Sequence, residues 1–316
     1  MRYALMSEPQ QGLSYTEILA LAKTAEASGF EAYFRSDHYG SFPTPDLPTT
    51  DAWATLAGLA RETTTICLGV LVSPVTFRHP GSFAKVVATV DEMSGGRVEV
   101  GMGAGWNEAE HRELGLAFPG LGERYDMLEE SLAIVHGLWT EADGWNHTGL
   151  HWNVVDARFH HRPRRDGRPH PPILLGGSGG PRMVDLTVRF ADELNIVSAS
   201  PDKVRGAYER LAAATASADR DPATITRSAM TGVLVGESED DLRSRVRMLL
   251  DGAFAAEDDA ETWLAERRQR WIIGTPDEAQ QRAADLGAAG AERIMLQDFL
   301  PRDLDMVRLL GRIFAA

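Results

Sequence analysis

At 316 residues, with 43% hydrophobic and 25% charged side chains, the chain has the size and composition of a globular protein with a large core. Its 32 Lys and Arg face 46 Asp and Glu, a formal charge of −14, which argues against nucleic acid as the main partner because phosphate binding needs a basic face. The single cysteine, Cys67, excludes a disulfide framework and any cysteine-based zinc site; the N-terminus lacks a signal-like apolar stretch, and no run approaches the roughly 18 apolar residues of a membrane span, so a soluble cytoplasmic protein is expected.

In chain order, Arg2–Met6 reads as a strand and Thr16–Ser28 as a helix whose Ile18, Leu19, Ala22 and Ala25 recur at helical spacing, with Gly29 placed for a left-handed C-terminus. Phe30–Arg35 is a second strand and Asp51–Glu62 a second helix. Ile66–Val72 is almost continuously apolar, as a strand covered on both faces should be. Pro80–Met93 is a helix with proline in its first turn, Val98–Gly103 a strand and Glu123–Trp139 a long amphipathic helix. After residue 170, strands at Pro172–Leu175, Glu193–Val197, Ile225–Val235 and Arg293–Gln297 alternate with helices at Arg182–Phe190, Pro201–Ala218, Asp240–Phe254 and Pro276–Leu286. Eight strands interleaved with helices predict an α/β protein, a closed (β/α)8 TIM barrel, with residues 1–316 forming one domain.

Two stretches interrupt the rhythm and read as insertions after strands four and seven, about 141–171 and 255–275. The first carries Trp145, His147, His151, Trp152, His160 and His161, then the basic run Arg162–Pro172; the second begins acidic and turns to WLAERRQRWIIG. Pocket specificity is expected to depend on both.

In such barrels the loops that follow strands build the active site. After the second strand, His38 beside Asp37 suits general acid–base work, and a hydrogen-bonded structural pair accounts for it equally well. After the third, Val72–Pro80 offers small and hydroxyl residues to a flat ligand and Arg78 to an anion, although an ordinary proline-punctuated loop also fits. After the fourth, Gly101, Gly103 and Gly105 leave backbone open to a close neighbour, while Trp106 breaks the dinucleotide fingerprint and offers an aromatic wall. After the fifth, Gly176–Gly180 directly precedes a helix, so exposed N–H groups and the helix dipole suit a cofactor phosphate. His147 and His151 have i, i+4 spacing but sit in a hairpin-like segment, and no metal site is expected.

Together these motifs resemble the bacterial luciferase-like flavin and deazaflavin oxidoreductase superfamily, most of all its F420-dependent branch. The resemblance rests on Ser36-Asp37-His38, Leu68–Pro80, Gly95–Phe118, Pro171–Gly180, Phe190–Asn195 and Gly274–Glu278, in order along nearly the whole chain. It implies a luciferase-like barrel, coenzyme F420 with FMN as the alternative in the same pocket, and hydride transfer between the deazaflavin C5 and a small organic substrate. It further implies His38 as the proton-handling group oriented by Asp37, and a non-prolyl cis peptide at Leu71–Val72 or the neighbouring Val72–Ser73. Leu71, Val72, Ser73, Gly103, Ala104, Gly105, Trp106 and Asn107 would meet the cofactor, and Gly176, Gly177 and Ser178 its phosphate. Trp106 stands where some F420 enzymes carry a catalytic glutamate, with Asn107 and Glu108 next to it. Trp106, Gln297 and Asp298 would wall the substrate, and Arg162–Arg168 would meet the oligoglutamate tail of F420. A homodimer is the default assembly. The rival readings are an FMNH2-dependent monooxygenase using O2 and a separate flavin reductase, or a non-catalytic flavin-binding relative.

Overall fold

A computed structural model describes residues 1–315 except 43, 164–166, 253 and 255–258. In chain order its strands are β1 (Arg2–Ser7), β2 (Ala32–Arg35), β3 (Cys67–Pro74), β4 (Val98–Gly103), β5 (Trp145–Thr148), β6 (Asn153–Ala157), β7 (Ile173–Gly177), β8 (Glu193–Ile196), β9 (Thr226–Val235), β10 (Ile272–Gly274) and β11 (Arg293–Asp298). The helices are α1 (Tyr15–Ala27), α2 (Ala52–Glu62), α3 (Pro80–Ser94), α4 (Glu108–Glu113), α5 (Leu121–Thr140), α6 (Pro181–Phe190), α7 (Pro201–Ser217), α8 (Glu239–Asp251), α9 (Ala260–Arg268), α10 (Pro276–Ala288) and α11 (Leu304–Phe314).

Eight parallel strands close in the order β1-β2-β3-β4-β7-β8-β9-β11, with β11 returning to β1. This is the (β/α)8 barrel that the strand count predicts. β2, β4 and β8 are buried at every residue, because helices cover one face and the barrel interior the other. The apolar residues divide accordingly. A large core lies between strands and helices, and a small one fills the barrel with Met6, Phe34, Leu71, Leu174, Met230 and Met295. Helix ends are fixed by local chemistry: Ser14 and Glu17 form a reciprocal capping box at the start of α1, and Gly29 takes φ +85° after its end.

The barrel floor is polar, which no sequence motif signalled. Arg293 at the start of β11 is fully buried and reaches Glu99 at 2.6 Å, Glu193 at 3.0 Å and Glu31. Burial, then the neighbouring Glu99 charge, pushes the Glu193 carboxyl above the ordinary carboxylate range against the pull of Arg293.

The first insertion lies between the fourth and fifth barrel strands, where the sequence reading places it. It begins after α5, and β5 and β6 form an antiparallel hairpin against that helix. Glu130 of α5 fastens its turn by accepting from the backbone N–H groups of Leu150, His151 and Trp152 at 2.7, 3.0 and 3.1 Å. Arg162 is spent locally, on Asp143 and the Phe159 carbonyl, while the Arg164 and Arg165 of the expected tail-binding run lie outside the described residues. The second insertion differs: it contains α9 and the short β10, which pairs with the far end of β9 and brings its chain to the barrel mouth. Among the described residues, no helix is long and apolar enough to cross a membrane.

Candidate active site

A cavity of about 820 Å³ opens at the C-terminal ends of the strands, within the range of small-molecule and cofactor sites. Following the barrel order, three sectors line it. β3, β4 and β7 give a smooth sector of Leu71, Val72, Gly103, Ala104, Gly176 and Gly177. β1 and β2, with Gln297 of β11, give a polar sector of Glu8, Gln10, Ser36 and His38. Phe254, Trp271 and Phe299, beside β9 and β11, give an aromatic sector.

The smooth sector is built around Val72. The Leu71–Val72 peptide is cis, at the bond to which the resemblance pointed, and the β3–β4 register shifts between Val70 and Ser73. A Cβ on Gly103 or Gly176 would come within 2.6 or 2.9 Å of a Val72 methyl. The close neighbour those glycines admit is therefore a side chain of β3, and the outcome is a side-chain-poor surface on that side of the cavity. Gly177 continues it toward the N-terminus of α6 at Pro181, where N–H groups have no helical partner. Ser178 lies beyond the cavity wall and is exposed. Ser73 faces away, its Oγ accepting from Trp53 Nε1 at 2.8 Å, and Asn107 is the N-cap of α4, its side chain accepting from Ala109 N. Neither Ser73 nor Asn107 lines the cavity.

The expected Asp37–His38 partnership is absent. Asp37 is buried and belongs to Arg78, whose guanidinium contacts it at 2.5 Å and also reaches Asp51 at 2.5 Å and the Tyr39 hydroxyl at 2.9 Å. Burial opposes the charge on Arg78, but Asp37 and Asp51 outweigh it and raise its pKa. Arg78 thus clamps both ends of the β2–α2 loop, and it is not available to a ligand anion.

Glu110 of α4 takes the role assigned to Asp37. Its Oε1 lies 3.0 Å from His38 Nδ1, and its Oε2 accepts from the backbone N–H of Tyr39 and Gly40 at 2.9 and 3.2 Å. A carboxylate only accepts, so His38 Nδ1 carries the hydrogen and Nε2 is left for the cavity. Phe42 and Trp106 pack edge-on against the imidazole, with centroids at 4.7 and 5.6 Å. Trp106, 65% exposed, stands at the mouth. His111, next to Glu110, bonds Thr76 Oγ1 at 2.6 Å and so ties α4 to the β3–α3 loop as well.

Glu8 is a second cavity carboxylate that the sequence reading passed over. It is 6% exposed and accepts from Gln10 Nε2 at 2.7 Å and from Gln297 Nε2, while Ser36 Oγ donates to Gln10 Oε1 at 2.6 Å. It sits directly after the first strand, and that strand-end position is the signal that marks it. Gln297 lines the cavity as expected, whereas Asp298 does not: it is fully buried behind β11, and burial raises its carboxyl to about 7.

The family model described as luciferase-like monooxygenase matches residues 2–296. A curated relative, the F420-dependent glucose-6-phosphate dehydrogenase of Microbacterium testaceum, is 34% identical over 179 residues, covering 56% of this chain and 51% of the relative. The chain thus spans about half the length of that relative. The phthiodiolone/phenolphthiodiolone dimycocerosates ketoreductase of Mycobacterium tuberculosis is 26% identical over 307 residues, 91% of this chain and 74% of that one. In solved structures, an F420-dependent secondary alcohol dehydrogenase in complex with an F420–acetone adduct superposes with a TM-score of 0.82 at 19% identity, covering 99% and 97% of the two chains.

Proposed function

We propose that this chain, which belongs to the luciferase-like monooxygenase family, is an F420-dependent oxidoreductase that interconverts a carbonyl compound and its alcohol, with His38 as the proton-handling group. The observation that carries the reading is the juxtaposition, in one cavity, of a smooth sector and a histidine whose free nitrogen faces the same space. The names of the relatives support the cofactor and the carbonyl–alcohol chemistry.

The residues fit a tricyclic ring. Gly103 and Gly176 keep the surface beside Val72 free of side chains, and Gly177 leads to the donors at the start of α6, where a phosphate would be held. When bound, F420 supplies hydride donation or acceptance at C5 of its deazaflavin. The protein supplies the rest. In the oxidative direction His38 Nε2 takes the hydroxyl proton of the substrate, and Glu110 stabilises the resulting imidazolium. In the reductive direction the same nitrogen returns a proton to the oxygen. Glu8, accepting from both carboxamides, holds Gln10 and Gln297 in place along the same edge of the cavity. Trp106 and Phe42 restrict water around the imidazole.

Titration of the purified protein with F420 and with FMN, followed by tryptophan fluorescence, tests the cofactor. Saturable F420 binding is expected; tight FMN binding with no response to F420 refutes the reading. His38→Asn should leave F420 affinity nearly intact and remove most turnover.

A further inference from the structure

The reading above gives the aromatic sector no part in holding F420 or moving a proton, yet it is a built feature. Trp271 and Phe299 are stacked at 4.9 Å with 9° between their planes, and Phe254 meets both edge-on at 6.0 and 5.4 Å. Trp263, fully buried, braces Trp271 from behind at 5.5 Å. The barrel makes room for this group: a Cβ at position 232 would lie 2.2 Å from the Trp271 ring, so only glycine there lets the indole lie on β9. The Arg267 guanidinium sits over the Trp263 ring at 5.5 Å and pairs with Glu266 at 3.2 Å.

Position around the barrel gives the wall its meaning. In the closed order β1-β2-β3-β4-β7-β8-β9-β11, the smooth sector centres on β3 and β4, and the aromatic sector on β9 and β11, half a turn away. His38 and Glu8 stand between them on the β1–β2 side. A molecule in the space between has a smooth surface on one side, a rigid aromatic wall on the other, hydrogen-bonding groups along the β1–β2 edge, and the Arg267 and Arg270 side chains beside the aromatic wall. That arrangement suits a flat aromatic body that lies along the wall and turns a carbonyl or hydroxyl to the β1–β2 edge.

We infer that the substrate class is a flat aromatic ketone or the corresponding carbinol, and that Trp271 is the residue that selects it. The inference rests on the carbonyl–alcohol reading above, but the wall itself belongs to the protein alone, so the two fail separately. The test is isothermal titration of the protein, with and without F420, using acetylnaphthalene, acetone and glucose-6-phosphate as probes. Acetylnaphthalene should bind about tenfold more tightly than either other probe, in both forms, as aromatic contacts of this kind are worth. Trp271→Leu, which keeps the site apolar and removes the flat face, should abolish that preference, and Trp271→Phe should retain most of it. Both variants should bind F420 as the parent does. Failure of F420 to bind, with the Trp271-dependent preference intact, refutes only the cofactor. A preference for glucose-6-phosphate, or an acetylnaphthalene affinity unchanged in folded Trp271→Leu, overturns the substrate class.

Discussion

Replacing Glu110 by glutamine separates what the carboxylate does for the fold from what it does for the imidazole. Two backbone donors, Tyr39 N and Gly40 N, converge on Oε2, so the amide oxygen of the variant must occupy that position. The amide NH2 then replaces Oε1, which lies 3.0 Å from His38 Nδ1. Nδ1 is forced to accept, the hydrogen moves to Nε2, and the nitrogen facing the cavity can no longer take a proton. The imidazolium also loses its counter-charge. At that distance and an effective dielectric of about 20, the lost attraction is at most about 5.5 kcal/mol. The backbone bonds survive, so stability should fall by about 1 kcal/mol or less. Turnover should fall by roughly 10²–10⁴ with F420 affinity unchanged, the range general acid–base groups supply. Steady-state kinetics with ¹⁵N NMR of the His38 ring reads both effects. Turnover within about threefold of the parent, well under a general acid–base contribution, would refute the assignment, as would retention of the Nδ1–H tautomer in the variant.

Three further outcomes follow from particular contacts. The buried Asp298 carboxyl, raised from 3.8 to about 7, keeps its proton in the folded state after the unfolded chain has released it. Its contribution is therefore full below about pH 4 and is lost as pH rises through 7, up to about 4 kcal/mol in all. Asp298→Asn should flatten that slope in urea unfolding at pH 5 and pH 8; an unchanged slope would show that another group titrates. Gly103→Ala drives a methyl to 2.6 Å from Val72 and should weaken F420 binding by about tenfold, with Val72→Ala restoring it in the double variant; the same affinity in all three proteins would contradict the cradle. Arg293→Met strands Glu31, Glu99 and Glu193 without their cation and should cost about 3–5 kcal/mol by chemical denaturation, whereas a neutral effect would mean that the floor does not depend on the pair.

The barrel was legible because its strands are short apolar runs and its helices amphipathic, both local patterns. The turn chemistry around Gly149 likewise exposed the β5–β6 hairpin despite its helix-like histidine spacing. The site was legible only in part. His38, Gly103 and Gly176 stand at strand ends, where a rule of position finds them. The partners of those residues do not obey any local rule. Glu110 is 72 residues from His38 and lies on a six-residue helix too short for a periodic signal, and Arg78 is 41 residues from Asp37. A neighbour in sequence made Asp37 look like the orienting group, yet adjacent side chains of an extended segment point to opposite faces. The same cause hid the charged barrel floor, whose four members come from β4, β8, β11 and the turn before β2. The insertions mattered unequally: the first packs against α5, and the second brings Trp271 to the mouth through an aromatic cluster that no spacing announces.

The most direct test of an F420-dependent oxidoreductase is anaerobic mixing of the protein with reduced F420 and a panel of ketones, with reduced FMN and oxygen run in parallel. The account predicts that the deazaflavin absorbance returns in step with alcohol formation, without oxygen, and that the return is lost in His38→Asn. Consumption of reduced FMN with oxygen uptake, while reduced F420 stays untouched by every ketone, would contradict it.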